Sequence, residues 1–103
     1  MREHLKSLAR VLRENGESAR AAMVENAVTG SDAGVDAFLA SNDLWGGSGS
    51  IADSAGAADR SEGRRKIERV LIELGKEQIR SCNVNPRTEM WVTAFSRWEE
   101  AGI

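Results

Sequence analysis

Leu44-Trp45-Gly46-Gly47-Ser48-Gly49-Ser50-Ile51-Ala52-Asp53 gathers the residue types most able to bind or react. Gly47-Ser48-Gly49-Ser50-Ile51-Ala52 matches G-x-G-x-x-A, the loop that carries a dinucleotide pyrophosphate between a strand and a helix. Here a short helical pattern and Ser41-Asn42-Asp43 precede it, so the strand that this chemistry needs is missing. The Gly-Lys pair of a phosphate loop does not follow. Ser48 has serine, not glycine, two residues on, which rules out a nucleophile elbow. Two readings remain. Successive N–H groups entering a helix can bind an anion, although Asp43 and Asp53 flank them. Alternatively the glycines turn the chain, Ser50 and Asp53 satisfy helix-start donors, and Leu44 and Trp45 plug the core. The candidate binding residues are Trp45, Gly46, Gly47, Ser48, Gly49, Ser50 and Asp53, and the structural reading is favoured.

Elsewhere the reactive types stand apart. Cys82 is the only cysteine and His4 the only histidine, so neither a disulfide, a zinc cluster nor a Cys-His pair follows from their positions. Asp32 and Asp36 are one helical turn apart, but a solvated acidic face explains two carboxylates better than a metal does. Arg60, Arg64, Arg65, Lys66 and Arg69 crowd a helix start, where the macrodipole disfavours cations. They call for a counter-charge, for which the acidic 32–59 segment is the candidate. No catalytic residue, metal or cofactor is indicated, and the reading leans away from an enzyme.

The elements that must position these groups read as helices. Leu5, Leu8 and Leu12 recur at helical spacing with Ala9 and Val11, and Asn15-Gly16 supplies a stop. Ser18 caps a second helix with a face of Ala19, Ala22, Met23 and Ala27. Ser31 or Asp32 caps a third that buries Val35, Phe38 and Leu39. Ser41-Asn42-Asp43 breaks the pattern before the loop, and Ser50 caps a brief turn. Residues 54–60 read as a connector. The longest helix runs from about 61 to 82, with Ile67, Val70, Leu71 and Leu74 as a stripe widened by Ile72 and Ile79. Glu62 with Lys66 and Arg69 with Glu73 are spaced as i,i+4 pairs. Asn85 and Pro86 start a last helix with Met90, Trp91, Ala94, Phe95 and Trp98 on one side. No segment alternates as a strand does. The predicted fold is all-α: a compact bundle of about five helices, in one domain spanning 1–103, with one Gly-rich loop.

Length and charge narrow the function classes. The 103 residues are 41% hydrophobic and 29% charged, a globular balance with a net charge of -2. No apolar run approaches the roughly 20 residues that cross a bilayer, and no signal-peptide core is present. These features predict a cytoplasmic chain without membrane contact. Nucleic acid is an unfavoured partner, because Glu62, Glu68 and Glu73 interrupt the basic cluster. The charge is segregated: residues 1–20 and 60–103 each carry a net +2, while 21–59 carries six carboxylates and no Lys or Arg. Asp32, Asp36 and Asp43 therefore form a candidate acidic face for a protein partner with a basic surface.

Two stretches resemble a family of small bacterial helical domains of unknown function. Leu8-Ala9-Arg10-Val11-Leu12-Arg13-Glu14-Asn15-Gly16-Glu17 is similar to that family's Leu-rich helix ending in Glu-Asn-Gly-Glu. Gly46-Gly47-Ser48-Gly49-Ser50-Ile51-Ala52-Asp53 fits its Gly-Gly-x-Gly-Ser-aliphatic-x-Asp loop. The resemblance covers about the first half of the chain. It implies a bacterial, cytosolic, helical protein and implies no activity.

The leading expectation is a non-enzymatic protein-binding module of inhibitor or toxin-neutralising type, using the acidic middle and the loop with Trp45. The alternatives are a small-ligand or anion-binding domain at the loop, and a self-association module using an exposed Trp91/Trp98 face.

Overall fold

The computed structural model describes residues 1–46, 49–53 and 62–102. Among the described residues the structure has six helices: α1 (Arg2–Glu14), α2 (Ser18–Val28), α3 (Asp32–Leu39), α4 (Asn42–Trp45), α5 (Glu62–Arg80) and α6 (Thr88–Glu100). A further helical turn occupies 51–53, and no strand occurs among the described residues. The radius of gyration is 12.4 Å, close to the ~13 Å expected of a compact domain of this length. The all-α bundle read from the sequence is the observed fold.

α1 and α5 form the centre. α1 packs against both α2 and α5, and α6 lies along the other side of α5. Leu5, Leu8, Ala9, Val11 and Leu12 are buried, so the apolar stripe of α1 faces inward as its spacing predicts. α1 stops at Gly16, whose φ is +82°. Gly16 N–H donates to Arg13 O and Glu17 N–H to Leu12 O, the paired bonds of a Schellman cap.

α2 presents a different face from the expected one. Ala21, Val24 and Val28 are buried, while Ala19 and Ala22 are exposed and Met23 is 40% exposed. Small apolar residues surround this helix, so their spacing does not select a side. The two valines decide it, because each covers more apolar area than an alanine.

α3 begins where Ser31 Oγ accepts from Gly34 N–H at 3.1 Å. Val35 and Leu39 are buried and Phe38 packs partly against them. Ser41 then starts a new turn rather than ending the pattern. Its Oγ donates to Phe38 O at 2.6 Å and accepts from Leu44 N–H at 3.4 Å. Leu44 and Trp45 consequently lie on α4, not on the loop.

α5 buries Ile67, Leu71, Ile72 and Leu74, but Ile79 is 39% exposed. Its buried face also contains Gly75, Gln78 and the ion pair Arg64–Glu68. Arg69 reaches Glu99 on α6 at 3.5 Å. Neither expected i,i+4 pair, Glu62–Lys66 or Arg69–Glu73, forms among the described residues. The expected acidic counter-charge segment at 32–59 falls partly outside the described residues. Arg64 uses Glu68, Arg65 donates to Gly102 O at 3.0 Å, and Arg69 uses Glu99. Arg60 and the connector at 54–60 lie outside the described residues.

α6 starts two residues later than read, at Thr88, after a turn through Pro86 and Arg87. Arg87 takes the cap position without a side-chain cap bond, and Asn85, expected as the cap, instead closes the preceding turn: its Oδ1 accepts from Arg87 N–H, and Thr88 Oγ1 accepts from Asn85 N–H. Phe95 is fully buried between Trp91, stacked at 5.4 Å, and Trp98, edge-on at 5.7 Å. Met90, expected on that side, is 54% exposed, and Val92 takes the inward position.

Candidate functional site

The loop is anchored by its two ends. Trp45 is fully buried, and its indole N–H donates to Gln78 Oε1 at 2.8 Å. Gly46 follows as a buried residue. A Cβ there would come within 2.4 Å of Asn42 O and 2.9 Å of Asn42 Cα. Backbone atoms cannot yield, so glycine at 46 answers a close approach to α4 rather than a need for flexibility. On the far side, Ser50 Oγ donates to Gly46 O at 2.8 Å and accepts from Asp53 N–H at 3.0 Å. Asp53 Oδ2 in return accepts from Gly49 N–H at 3.1 Å. This reciprocal pairing is that of a capping box moved by one residue.

These bonds bear directly on the anion reading. The N–H groups of Gly49 and Asp53 are already engaged by side chains of the loop itself. The Asp53 carboxylate also occupies the place where an incoming anion would collect positive dipoles. Gly47 and Ser48 lie outside the described residues. Trp45, expected as a contact anchor, is enclosed in the core, because Gly75 leaves room for its ring: a Cβ at 75 would meet Trp45 Cη2 at 3.2 Å.

Gln78, which organises this region together with Asn85 and Trp91, was not singled out by the sequence. Gln78 is fully buried. It accepts from Trp45 and donates through Nε2 to Leu39 O at 2.7 Å and Asn83 O at 2.8 Å. Asn85 Nδ2 donates to Ala40 O and to Asn42 Oδ1, both at 2.9 Å. Trp91 Nε1 donates to Trp45 O at 3.0 Å. Three side chains of the α5–α6 hairpin thus hold the α3–α4 segment by its backbone. A signal was present for Gln78, which continues the Leu71 and Leu74 stripe at helical spacing and places a polar group where apolar ones are due.

The acidic candidates lie outside. Asp32, Asp36 and Asp43 are all exposed. Asp32 accepts from Arg2 Nη2 at 2.6 Å, yet its side chain remains 97% exposed. Asp36 and Asp43 form no ion pair among the described residues. Glu25, the other described carboxylate of this middle segment besides Asp53, is held by Arg13, with Oε1 at 2.6 Å and Oε2 at 3.2 Å. The hydrogen bond from Arg13 and the adjacent opposite charge raise the Arg13 pKa above its ordinary value. Among the described residues, no group of three or more His, Cys, Asp or Glu is placed to hold a metal ion.

Trp91 and Trp98 are each partly buried against the core rather than laid open as a face. Cys82 is exposed, and sits in the left-handed region with φ 61°. Among the described residues, no helix is long and apolar enough to cross a membrane. Among the described residues, a surface concavity of about 520 Å³ lies between α1 and α2, and another of about 380 Å³ lies between α1 and α5 beside His4. The chain matches no protein-family model, no curated protein and no solved structure.

Proposed function

We propose that this chain is a non-enzymatic protein-binding module, of inhibitor or toxin-neutralising type, acting in the bacterial cytoplasm on a partner with a basic surface. The carrying observation is that Asp36 and Asp43 project from α3 and α4 without an ion pair among the described residues, beside an Asp32 that is 97% exposed. Lys and Arg are absent from 21–59, so no neighbour in sequence neutralises them. Exposed carboxylates of one sign steer an oppositely charged partner and suppress wrong ones.

Trp45 takes no part in this surface; its contribution is to fix α4, which carries Asp43. The test is affinity capture from a bacterial lysate with the full chain and with the triple variant Asp32→Asn, Asp36→Asn, Asp43→Asn. A basic protein recovered by the native chain and lost with the variant supports the reading. Identical recovery by both removes the acidic surface from it.

A further inference from the structure

The groove between α1 and α2 has a floor and a rim of different chemistry. Ala9 and Val28 close its bottom, and the aliphatic stems of Lys6, Arg10 and Arg13 form the α1 wall. Its volume of about 520 Å³ falls within the ~300–1,000 Å³ of small-molecule sites. The charges along it are unequally engaged. Arg13 is bound by both oxygens of Glu25 across the groove. Lys6 makes only a 3.4 Å contact with a Glu3 carboxylate whose side chain is 86% exposed, a kind of surface pair worth little. Arg10 is exposed and forms no hydrogen bond or ion pair among the described residues. Glu14, exposed and without an ion pair among the described residues, also lines the groove one turn beyond Arg10, so the trough carries one open guanidinium, a loosely held ammonium and one open carboxylate, with three cationic side chains against two carboxylates in all. A guanidinium accepts a carboxylate in a bidentate fork and also lies flat on apolar or aromatic surface.

We propose that this groove binds a small, freely diffusing amphiphile with a single anionic headgroup, its apolar body along Ala9 and Val28 and its headgroup at Arg10. This site is separate from the acidic surface of α3 and α4 and stands independently of it. The Arg13–Glu25 bridge closes one stretch of the trough, so the occupant is a single short chain or ring rather than a wide polymer.

The experiment is an amide chemical-shift titration of the ¹⁵N-labelled full chain with decanoate below its micelle concentration. Decanol and decyltrimethylammonium serve as neutral and cationic counterparts. The expected result is saturable shifts confined to 6–14 and 25–29 with decanoate, at least tenfold weaker binding with the other two, and a similar loss for Arg10→Gln. Arg10 is exposed, so this variant keeps the fold, and an unchanged thermal melt verifies it. A second variant, Val28→Arg, fills the floor and abolishes the shifts. Absent or non-saturating shifts, equal binding of the cationic analogue, or undiminished binding by Arg10→Gln would each overturn the assignment. Saturation by an acidic amphipathic peptide with none by decanoate would overturn it as well.

Discussion

Trp45 and Gln78, 33 residues apart in sequence, meet in the core through a 2.8 Å hydrogen bond from the indole N–H to the amide oxygen. The amide nitrogen of the same Gln78 holds Leu39 O and Asn83 O. Truncation of this side chain strands one donor and one acceptor in a buried place and a second acceptor, Asn83 O, in a partly buried one, and each fully buried group costs about 1–3 kcal/mol. Gln78→Ala is therefore expected to lower unfolding free energy by about 2 kcal/mol or more. Urea denaturation followed by tryptophan fluorescence measures it. A loss below about 1 kcal/mol would show that the network is dispensable.

Gly75 carries the second expectation. A Cβ at 75 would stand 2.3 Å from Val92 Cγ2. Alanine gains about 1 kcal/mol of helix propensity over glycine, but overpacking a filled core costs about 1–3 kcal/mol. Gly75→Ala is expected to destabilise the chain on balance. The Val92→Ala background removes the clashing methyl but not the 3.2 Å approach to Trp45 Cη2, so the same substitution should cost less there. A double-mutant cycle reads this as a coupling of at least about 0.5 kcal/mol; additive effects would refute the contact.

Cys82 ends α5 as Gly16 ends α1. Cys82 N–H donates to Ile79 O and Asn83 N–H to Gln78 O, the same paired bonds found at Gly16. The φ of 61° at Cys82 costs an L-residue roughly 1–2 kcal/mol. Cys82→Gly should raise stability by up to about 1 kcal/mol, and Gly16→Ala should lower it by a similar amount. Thermal melts of the two variants moving in the same direction would contradict this.

Neutralising the acidic surface separates binding from folding. Asp36 and Asp43 are exposed and make no ion pair among the described residues, so Asp36→Asn and Asp43→Asn should each alter stability by less than about 0.5 kcal/mol. With a basic partner in hand, the double variant should slow association and flatten its dependence on salt, leaving dissociation nearly unchanged. A purely dissociation-rate effect would place the contact elsewhere.

Much of the architecture was legible because α1, α3 and α5 are amphipathic with large aliphatic residues at helical spacing. Leu5, Leu8 and Leu12 leave one choice of inward face. α2 was misread because its alanines surround the helix and carry little preference; Val24 and Val28 settle the matter only through contact with α1. Ser41 reads locally as a breaker, yet its hydroxyl both ends α3 and starts α4. The loop's structural reading was legible from the Ser50 and Asp53 spacing. The close approach of Gly46 to Asn42 and the fit of Trp45 against Gly75 were not, since both depend on distances that no local pattern carries. Asp32 and Asp36 were legible as exposed because the apolar residues of α3 occupy the other side.

The bonds from Gln78 to Leu39 O, Asn85 to Ala40 O and Trp91 to Trp45 O span 39, 45 and 46 residues of chain. All three fasten the backbone of a segment that also carries the exposed aspartates. Its conformational freedom is surrendered when the chain folds. A molecule that docks on this segment meets carboxylates mounted on an already fixed frame, and the entropy lost in ordering that backbone falls on folding rather than on association.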